Sequence, residues 1–429
     1  MNSILSSLER MLLAINHQEA DRVPLVFNVF TWNPPPHLKY SSALERVDKF
    51  LHFGIDDTIS LSAPFRYHPD VTTRTWREIT GERYPILFKE YETPKGTLRQ
   101  IAWQTEDWPH GDDIPIVGDH NISRSQKFPV ESPEDLEKLP YLFFQPNREQ
   151  LNDFKEHVQN IKKFASDRQI LIEGHAGGFG DYAAWLMGIQ NLIIAMCDRP
   201  GFVHQLLDTI LEWEMRDIDI LLDTSVVDVI IHRGWYECAD FWSPHLYRQF
   251  IAPRLKKKIQ LVHQAGKKFG YIMSTGIMPL LDIFSELDFD ILIHVDPVQG
   301  GAHLPRLKKE IGERVCFWGG VNSAITLGRG SKDEIRDAVT FAISTLAPRG
   351  GLILSAADCL FSDTPWENVR TMIERWREIG TYPIRIAYTQ HLGGIWYHGA
   401  IDEVAVYDRA LSEIEVQKNY ADRKERKCI

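Results

Sequence analysis

The sequence predicts an α/β protein built as a (β/α)8 TIM barrel, and the prediction rests on three observations. Eight short apolar runs punctuate the chain, at 23–27, 58–61, 170–173, 227–231, 268–273, 290–294, 315–318 and 351–354. Each is rich in β-branched or aromatic residues and too continuous for a strand with one wet face, which suits a parallel sheet covered on both sides. A helical stretch follows almost every run, as the barrel requires. Chemistry in this fold sits where the strands end, so eight strand ends become the places to search.

The elements follow in order. Ile4, Leu5, Leu8, Met11, Leu12 and Ile15 have helical spacing, and Glu9 with Arg10 breaks any apolar run. This predicts an amphipathic first helix rather than a signal peptide. After strand two comes an inserted segment, roughly 67–169. Within it, 90–93 and 97–103 flank Pro94-Lys95-Gly96 as a hairpin outside the barrel. Ser132-Pro133-Glu134-Asp135 then opens a helix with a serine cap, proline at the first position and acids in the first turn. An excursion from a strand's C-terminal end would overhang the barrel mouth as a lid or wall.

Pro200 to Asp223 reads as one helix, and Ser243-Pro244 starts another that runs to about Ala265, with Gly266 as its stop. Ser331-Lys332-Asp333-Glu334 is a capping-box pattern leading to Leu346. Thr364-Pro365-Trp366-Glu367 opens the last barrel helix, which should end near Gly380. The barrel domain is therefore expected over 1–383. Over 384–429 the texture changes to a short C-terminal β-containing tail, with Gly393-Gly394, an alternating stretch at 401–407 and a helix ending Asp-Arg-Lys-Glu-Arg-Lys.

The formal charge of −11 and a pI near 5.8 argue against a nucleic-acid binder and against an anionic membrane surface. No run is long enough to cross a bilayer. The five cysteines (Cys197, Cys238, Cys316, Cys359, Cys428) are odd in number and scattered, with no CxxC pair. Reduced thiols in a cytoplasmic setting are the expectation.

The strand ends carry the candidate chemistry. Strand three runs into His175, strand four into His232, Arg233, Trp235 and Glu237, and strand six into His294 and Asp296. Strand seven gives Asn322, and strand eight gives Asp358 and Cys359. Such a set is enough for a metal site with nitrogen and oxygen ligands or for a general acid–base pair. Ordinary loop-bonding polar residues are the bland alternative. Arg233 would hold a substrate carboxylate or pair with a neighbouring acid. Arg66 and His68 follow strand two and would reach the mouth, His68 more readily at the surface. The turn Gly174-His175-Ala176-Gly177-Gly178-Phe179-Gly180 would expose backbone N–H groups to an anion or let the backbone approach a substrate closely. Trp32, Trp185, Trp235, Trp242 and Trp318 would wall a flat ligand or belong to the core.

Several longer motifs carry a resemblance. The start Glu9-Arg-Met-Leu-Leu-Ala-Ile-Asn-His17 leads through Asp21-Arg22-Val23-Pro24. Ser243-Pro244 through Ala252-Pro253-Arg254 and Ala265-Gly266-Lys267-Lys268 follow. Then come Phe317-Trp318-Gly319-Gly320-Val321-Asn322 and Gly350-Gly351-Leu352-Ile353-Leu354-Ser355, ending with Asp363-Thr364-Pro365-Trp366-Glu367-Asn368. In this order and spacing, from Arg10 to Pro383, the chain resembles the uroporphyrinogen decarboxylase superfamily. The resemblance implies a (β/α)8 barrel and one of two chemistries. These are cofactor-free decarboxylation of porphyrinogen acetates, and methyl transfer between corrinoids and thiols or other acceptors, often through zinc.

The chain departs from both patterns. The arginine-rich segment that the decarboxylases carry after strand one reads Asn28-Val29-Phe30-Thr31-Trp32-Asn33, without arginine. Ser62-Ala63 stands where their aspartate follows strand two. The His-x-Cys of the methyltransferases is replaced by Met273-Ser274-Thr275, and only Cys359 after strand eight survives of their zinc ligands. The tail segment 399–412 resembles the closing part of a laminin-G or concanavalin-A-like jelly roll, of which only about two strands would be present. The tail reads as an appendage or gene-fusion remnant; the alternative is that an exposed strand there pairs with another chain. A homodimer is the candidate assembly.

The resulting expectation is an enzyme of this superfamily, a methyltransferase working with a corrinoid partner protein on a small-molecule substrate, with zinc as its candidate metal. His232, Glu237 and Asp358 take catalytic roles. His175, Arg233, Trp235, Asn322 and Arg66 bind substrate, and His294, Asp296 and Cys359 hold the metal. The alternatives are a carboxy-lyase acting on a small polycarboxylate through Arg233, or a barrel that only binds a partner.

Overall fold

The computed structural model describes residues 5–30 and 34–382, with the backbone of four residues beyond. It divides into two compact units, Met1–Tyr382 and Pro383–Ile429. In chain order the first unit carries β1 (Leu25–Val26), β2 (Thr58–Ser62), β3 (Thr72–Glu78), β4 (Ile86–Thr93), β5 (Gly96–Trp103) and β6 (Ser125–Lys127). It continues with β7 (Leu171–His175), β8 (Val229–Arg233), β9 (Lys268–Ile272), β10 (Ile291–Val295), β11 (Cys316–Asn322) and β12 (Leu352–Ala357).

Strands β1, β2 and β7–β12 form one eight-stranded sheet in the order β1-β12-β11-β10-β9-β8-β7-β2, with parallel neighbours throughout. Each contains or overlaps one of the eight apolar runs. Burial on both faces explains their continuity: every residue of β10 and of β12 is buried. The two edge strands meet at the base of the barrel. Asp56 N donates to Leu25 O at 2.9 Å, and Leu25 N donates to the Asp56 carboxylate at 3.2 Å. A side chain thus completes the closure because β1 is only two residues long. Arg10 neutralises Asp56 at 2.5 Å and binds Asp21 at 2.7 Å.

Side-chain alternation sorts the strands into an inside and an outside. Leu171, Val229, Ile231, Ile272, Ile291, Ile293, Trp318 and Ile353 share an interior cluster. Helix Ser7–Ile15 adds Met11, Ala14 and Ile15 to it and plugs the base. That helix starts on a Ser6–Glu9 capping box. The intervening residues, such as Ile230, Tyr271, Leu292 and Phe317, pack outward against the helices. Each such buried side chain contributes roughly 1.5–3 kcal/mol.

The helix Pro200–Asp223 matches its sequence signals, and Ser331 caps Lys332–Leu346 with a capping box. The helix expected over 243–265 is interrupted. A π-helical turn, Tyr247–Ile251, separates Pro244–Leu246 from Ala252–Gln264. Pro253 has no N–H to donate, and the widened turn absorbs the lost bond. The helix opened by Ser132 lasts a single turn, Pro133–Leu136.

Between β2 and β7 lies an antiparallel sheet in the order β3-β4-β5-β6, whose central hairpin β4–β5 turns at Pro94 and Lys95. In the second unit β13 (Tyr388–Thr389) and β14 (Ile395–Trp396) pair antiparallel. The jelly-roll-like segment 399–412 lies outside the described residues, as do Thr31, Trp32, Asn33 and Cys428. Among the described residues no helix is long and apolar enough to cross a membrane.

Candidate active site

The C-terminal end of β8 divides the candidate residues. Arg233 has the parity of Val229 and Ile231 and turns inward, while His232 has the parity of Ile230 and turns outward.

Inside the barrel a cavity of about 140 Å³ is lined on one side by Ile231, Ile272, Ile293 and Trp318, and its polar lining includes Glu173, His175, His294, Ser60, Arg46 and Asp57. Glu173 and His175 are two apart on β7 and so share a face. His175 Nε2 lies 3.1 Å from Glu173 Oε2, and the imidazole is about a third exposed (34%). A carboxylate only accepts, so Nε2 carries the proton and Nδ1 is left as the basic nitrogen. Burial raises the Glu173 carboxyl. The hydrogen bond and charge of His175, with help from Thr58 and Arg46, more than reverse that and hold it below its ordinary value.

The mouth above is ordered by charge and stacking. Arg233 binds Asp119 of the insert at 3.0 Å and lies 5.1 Å from the centre of the Trp185 ring, whose Nε1 donates to the same Asp119 at 3.0 Å. Trp235 stacks on His294 with ring centres 5.0 Å apart. His294 breaks the β10 register at a positive φ of 69°, and its Nδ1 accepts from Asp358 N at 2.9 Å. Burial lowers its pKa to about 4, so the ring is neutral. Burial raises the carboxyl of Asp358 and the thiol of Cys359, and Asn28 Nδ2 donates to that sulfur at 3.1 Å.

Asp296 is committed to Asn322 Nδ2 and Val298 N, each at 2.8 Å, which argues against it as a zinc ligand. Among the described residues no three His, Cys, Asp or Glu side chains converge on a position for a metal ion. The three expected ligands therefore do not form a preassembled centre.

His232 and Glu237 are not in the mouth. Both are fully buried between the sheet and its helices, so the expected pocket-facing position is corrected. His232 Nε2 lies 3.0 Å from both Glu237 oxygens. Lys258, from helix Ala252–Gln264, contacts His232 Nδ1 at 2.6 Å, Glu214 at 2.9 Å and Ala176 O at 2.9 Å. An ammonium only donates, so the His232 proton sits on Nε2 and points at Glu237. Glu237 also accepts from Gly180 N at 2.9 Å and Tyr271 OH at 2.7 Å, and Tyr271 meets Tyr247 at 2.9 Å. Burial pushes Glu237 up to about 7, and Glu214 up to about 8 despite Lys258. Burial and the Lys258 charge together hold His232 well below its ordinary value.

The glycine turn takes its meaning from this cluster. One of its N–H groups, that of Gly180, donates to Glu237, and its close approach is to the chain itself. A Cβ at Gly178 would lie 1.9 Å from Arg233 O, and Arg233 N donates to Gly177 O at 2.7 Å.

Two further candidates stand apart. Asn322 caps the turn Ser323–Leu327 through Oδ1 and spends its amide on Asp296 and Gln299, so it has no bond to spare for substrate. Arg66 bridges to Phe144 in the insert and packs on that ring. The mouth therefore brings together His175, Arg233, Trp235, His294, Asp358 and Cys359. Sequence reasoning missed Glu173, although an acid two residues before His175 in an apolar strand was a readable signal. It also missed Lys258, which the run Lys256-Lys257-Lys258 disguises as surface.

The comparisons agree with this architecture. The family model described as Uroporphyrinogen decarboxylase (URO-D) matches residues 113–379, more than half of the chain. A methyltransferase from Methanosarcina mazei superimposes with a TM-score of 0.54 at 18% identity, covering 87% of this chain and 99% of that one. At that identity the likeness shows the fold alone. A D-psicose 3-epimerase from Clostridium cellulolyticum H10 covers 57% of this chain and 87% of its own at 10% identity, with a TM-score of 0.35 that carries no argument. No curated protein matches the chain in sequence.

Proposed function

The chain belongs to the uroporphyrinogen decarboxylase (URO-D) family, and from that premise we propose that its barrel mouth transfers a methyl group between a small anionic molecule and a corrinoid carried by a partner protein. The observation that carries the reading is the Glu173–His175 pair, an oriented base in a cavity with one apolar wall of Ile231, Ile272, Ile293 and Trp318. A methylated corrinoid would supply the methyl group. Arg233 would hold the acidic end of the acceptor, in the place Asp119 now takes, and guanidinium suits a carboxylate through two parallel bonds. The acceptor's O–H or S–H proton would pass to His175 Nδ1 as its oxygen or sulfur bonds to the methyl carbon, the electron pair of the broken cobalt–carbon bond would stay with the partner's corrinoid, and Glu173 would stabilise the imidazolium. Oriented proton transfer of this kind contributes typically about 10²–10⁴-fold. The missing decarboxylase arginines support this chemistry over porphyrinogen decarboxylation. The region around Cys359 would line the mouth without a metal.

A second reading has its own support. Ile231, Ile272, Ile293 and Trp318 would desolvate a carboxylate held near Arg233, which favours loss of carbon dioxide with His175 returning a proton to the carbon. One experiment separates the readings. Wild-type and His175→Ala proteins are mixed with methylcobalamin and a panel of small thiol and hydroxy acids, following the cobalamin spectrum and released carbon dioxide. A spectral change that needs His175 supports methyl transfer, gas release without it supports decarboxylation, and neither signal leaves a binding subunit.

A further inference from the structure

Strand β1 adds only Leu25 and Val26 to the sheet and pairs with β12, so the wall between β1 and β2 is open above the Asp56–Leu25 contact. Arg46, on helix Ala43–His52, fills that seam. Its Nη2 donates to Thr58 O at 2.8 Å, where a ladder partner is missing, and its Nε donates to Asp57 Oδ2 at 2.9 Å. Asp57 is only 1% exposed. Arg46 and Asp57 line the same cavity as Ser60, Glu173 and His175. We propose that Arg46 is a positioning residue for the Glu173–His175 pair, reaching it through the seam between β1 and β2. The inference deepens the reading of that pair as the proton acceptor and rests on it.

The physical case is one of charge in a confined space. The titratable and charged groups that face Glu173 are His175 on its own strand, Arg46 and Asp57 at the seam, and His294 from β10. Arg46 and His175 favour ionisation of Glu173, and the Glu173 charge in turn raises Asp57. Burial raises Asp57 itself to about 6, against the pull of Arg46. One guanidinium therefore serves two carboxylates. Without it the pair retains a proton to higher pH, and a protonated Glu173 no longer fixes the His175 tautomer.

The test compares pH profiles of kcat/KM for wild type, Arg46→Gln and Arg46→Lys, with thermal melts to establish folding. The Glu173 carboxylate infrared band, assigned by difference from Glu173→Gln, is titrated alongside. Arg46→Gln should lose about tenfold more activity at the acid end than at the alkaline end. Its infrared titration should move to higher pH, and Arg46→Lys should restore most of both. A folded Arg46→Gln protein with an unshifted profile and an unshifted band overturns the proposal. If that variant does not fold, Arg46→Met, which keeps the apolar stem, carries the test: its Glu173 band should again move to higher pH, and an unmoved band overturns the proposal. A fully active His175→Ala protein sinks the proton-acceptor reading instead, and the infrared titration still reports whether Arg46 controls Glu173.

Discussion

Two charged clusters flank the sheet at β7 and β8, one inside the barrel and one behind it, and they differ in what surrounds the charge. Inside, Glu173 and His175 sit beside a cavity, and the imidazole keeps a nitrogen and a third of its surface free. Behind the sheet, Glu214, Lys258, His232, Glu237 and Tyr271 hold one another at 2.6–3.0 Å with no exposed surface to speak of. The two clusters resemble each other in residue types but not in what they can do. A cluster buried this completely cannot receive a substrate; it can hold the turn from Ala176 to Gly180, and with it the segment that follows His175.

The comparison breaks or sharpens on four measurements. His175→Ala should lower kcat by about 10²–10⁴-fold with little change in melting temperature. His232→Ala should do the reverse, and a stable His232→Ala protein as inactive as His175→Ala would erase the distinction. Next in size, Lys258→Met should cost roughly 3–5 kcal/mol in urea unfolding above about pH 8, where Glu214 is ionised and left buried without its cation. Removing both partners, as Lys258→Met with Glu214→Leu, should recover most of that loss.

The pH dependence of stability has a definite sign. Glu237 and Glu214 hold their protons more tightly folded than unfolded, with values raised from 4.5 to about 7 and about 8. The folded state thus binds more protons above pH 4.5, and these two groups make stability fall as pH rises towards 8. Melting temperatures measured across that range should decline, and Glu237→Gln should flatten the part below about pH 7. A rising curve that Glu237→Gln leaves unaltered would place the titration elsewhere. The smallest effect belongs to Arg233→Lys, which should raise KM for an acidic substrate about tenfold with kcat nearly unchanged, since a point charge replaces a planar fork.

Much of the fold was legible before any coordinates. The apolar runs mark the eight barrel strands, the Ser331 box starts its helix, and Pro200 and Asp223 bound theirs. The exception at Tyr247–Ile251 came from a proline whose effect inside a helix depends on the packing that forces the chain to continue. The site was legible only as a set of candidates. His175, Arg233, Trp235, His294, Asp358 and Cys359 do meet at the mouth, while Asn322 and Arg66 serve a cap and the insert.

The sequence by itself determined the strands, their parallel barrel and the polar residues at their ends, because these follow from local runs, caps and turn chemistry. Only the tertiary structure decided which side of the sheet each polar residue faces. In a half-exposed strand the alternation of apolar and polar residues would reveal the sides. Here both faces are buried and both are apolar, so His232 and Arg233 carry no mark of their opposite directions. Their partners fixed the outcome: Lys258 and Glu214 arrive from helices behind the sheet, and Arg46 arrives through the seam that a two-residue strand leaves open.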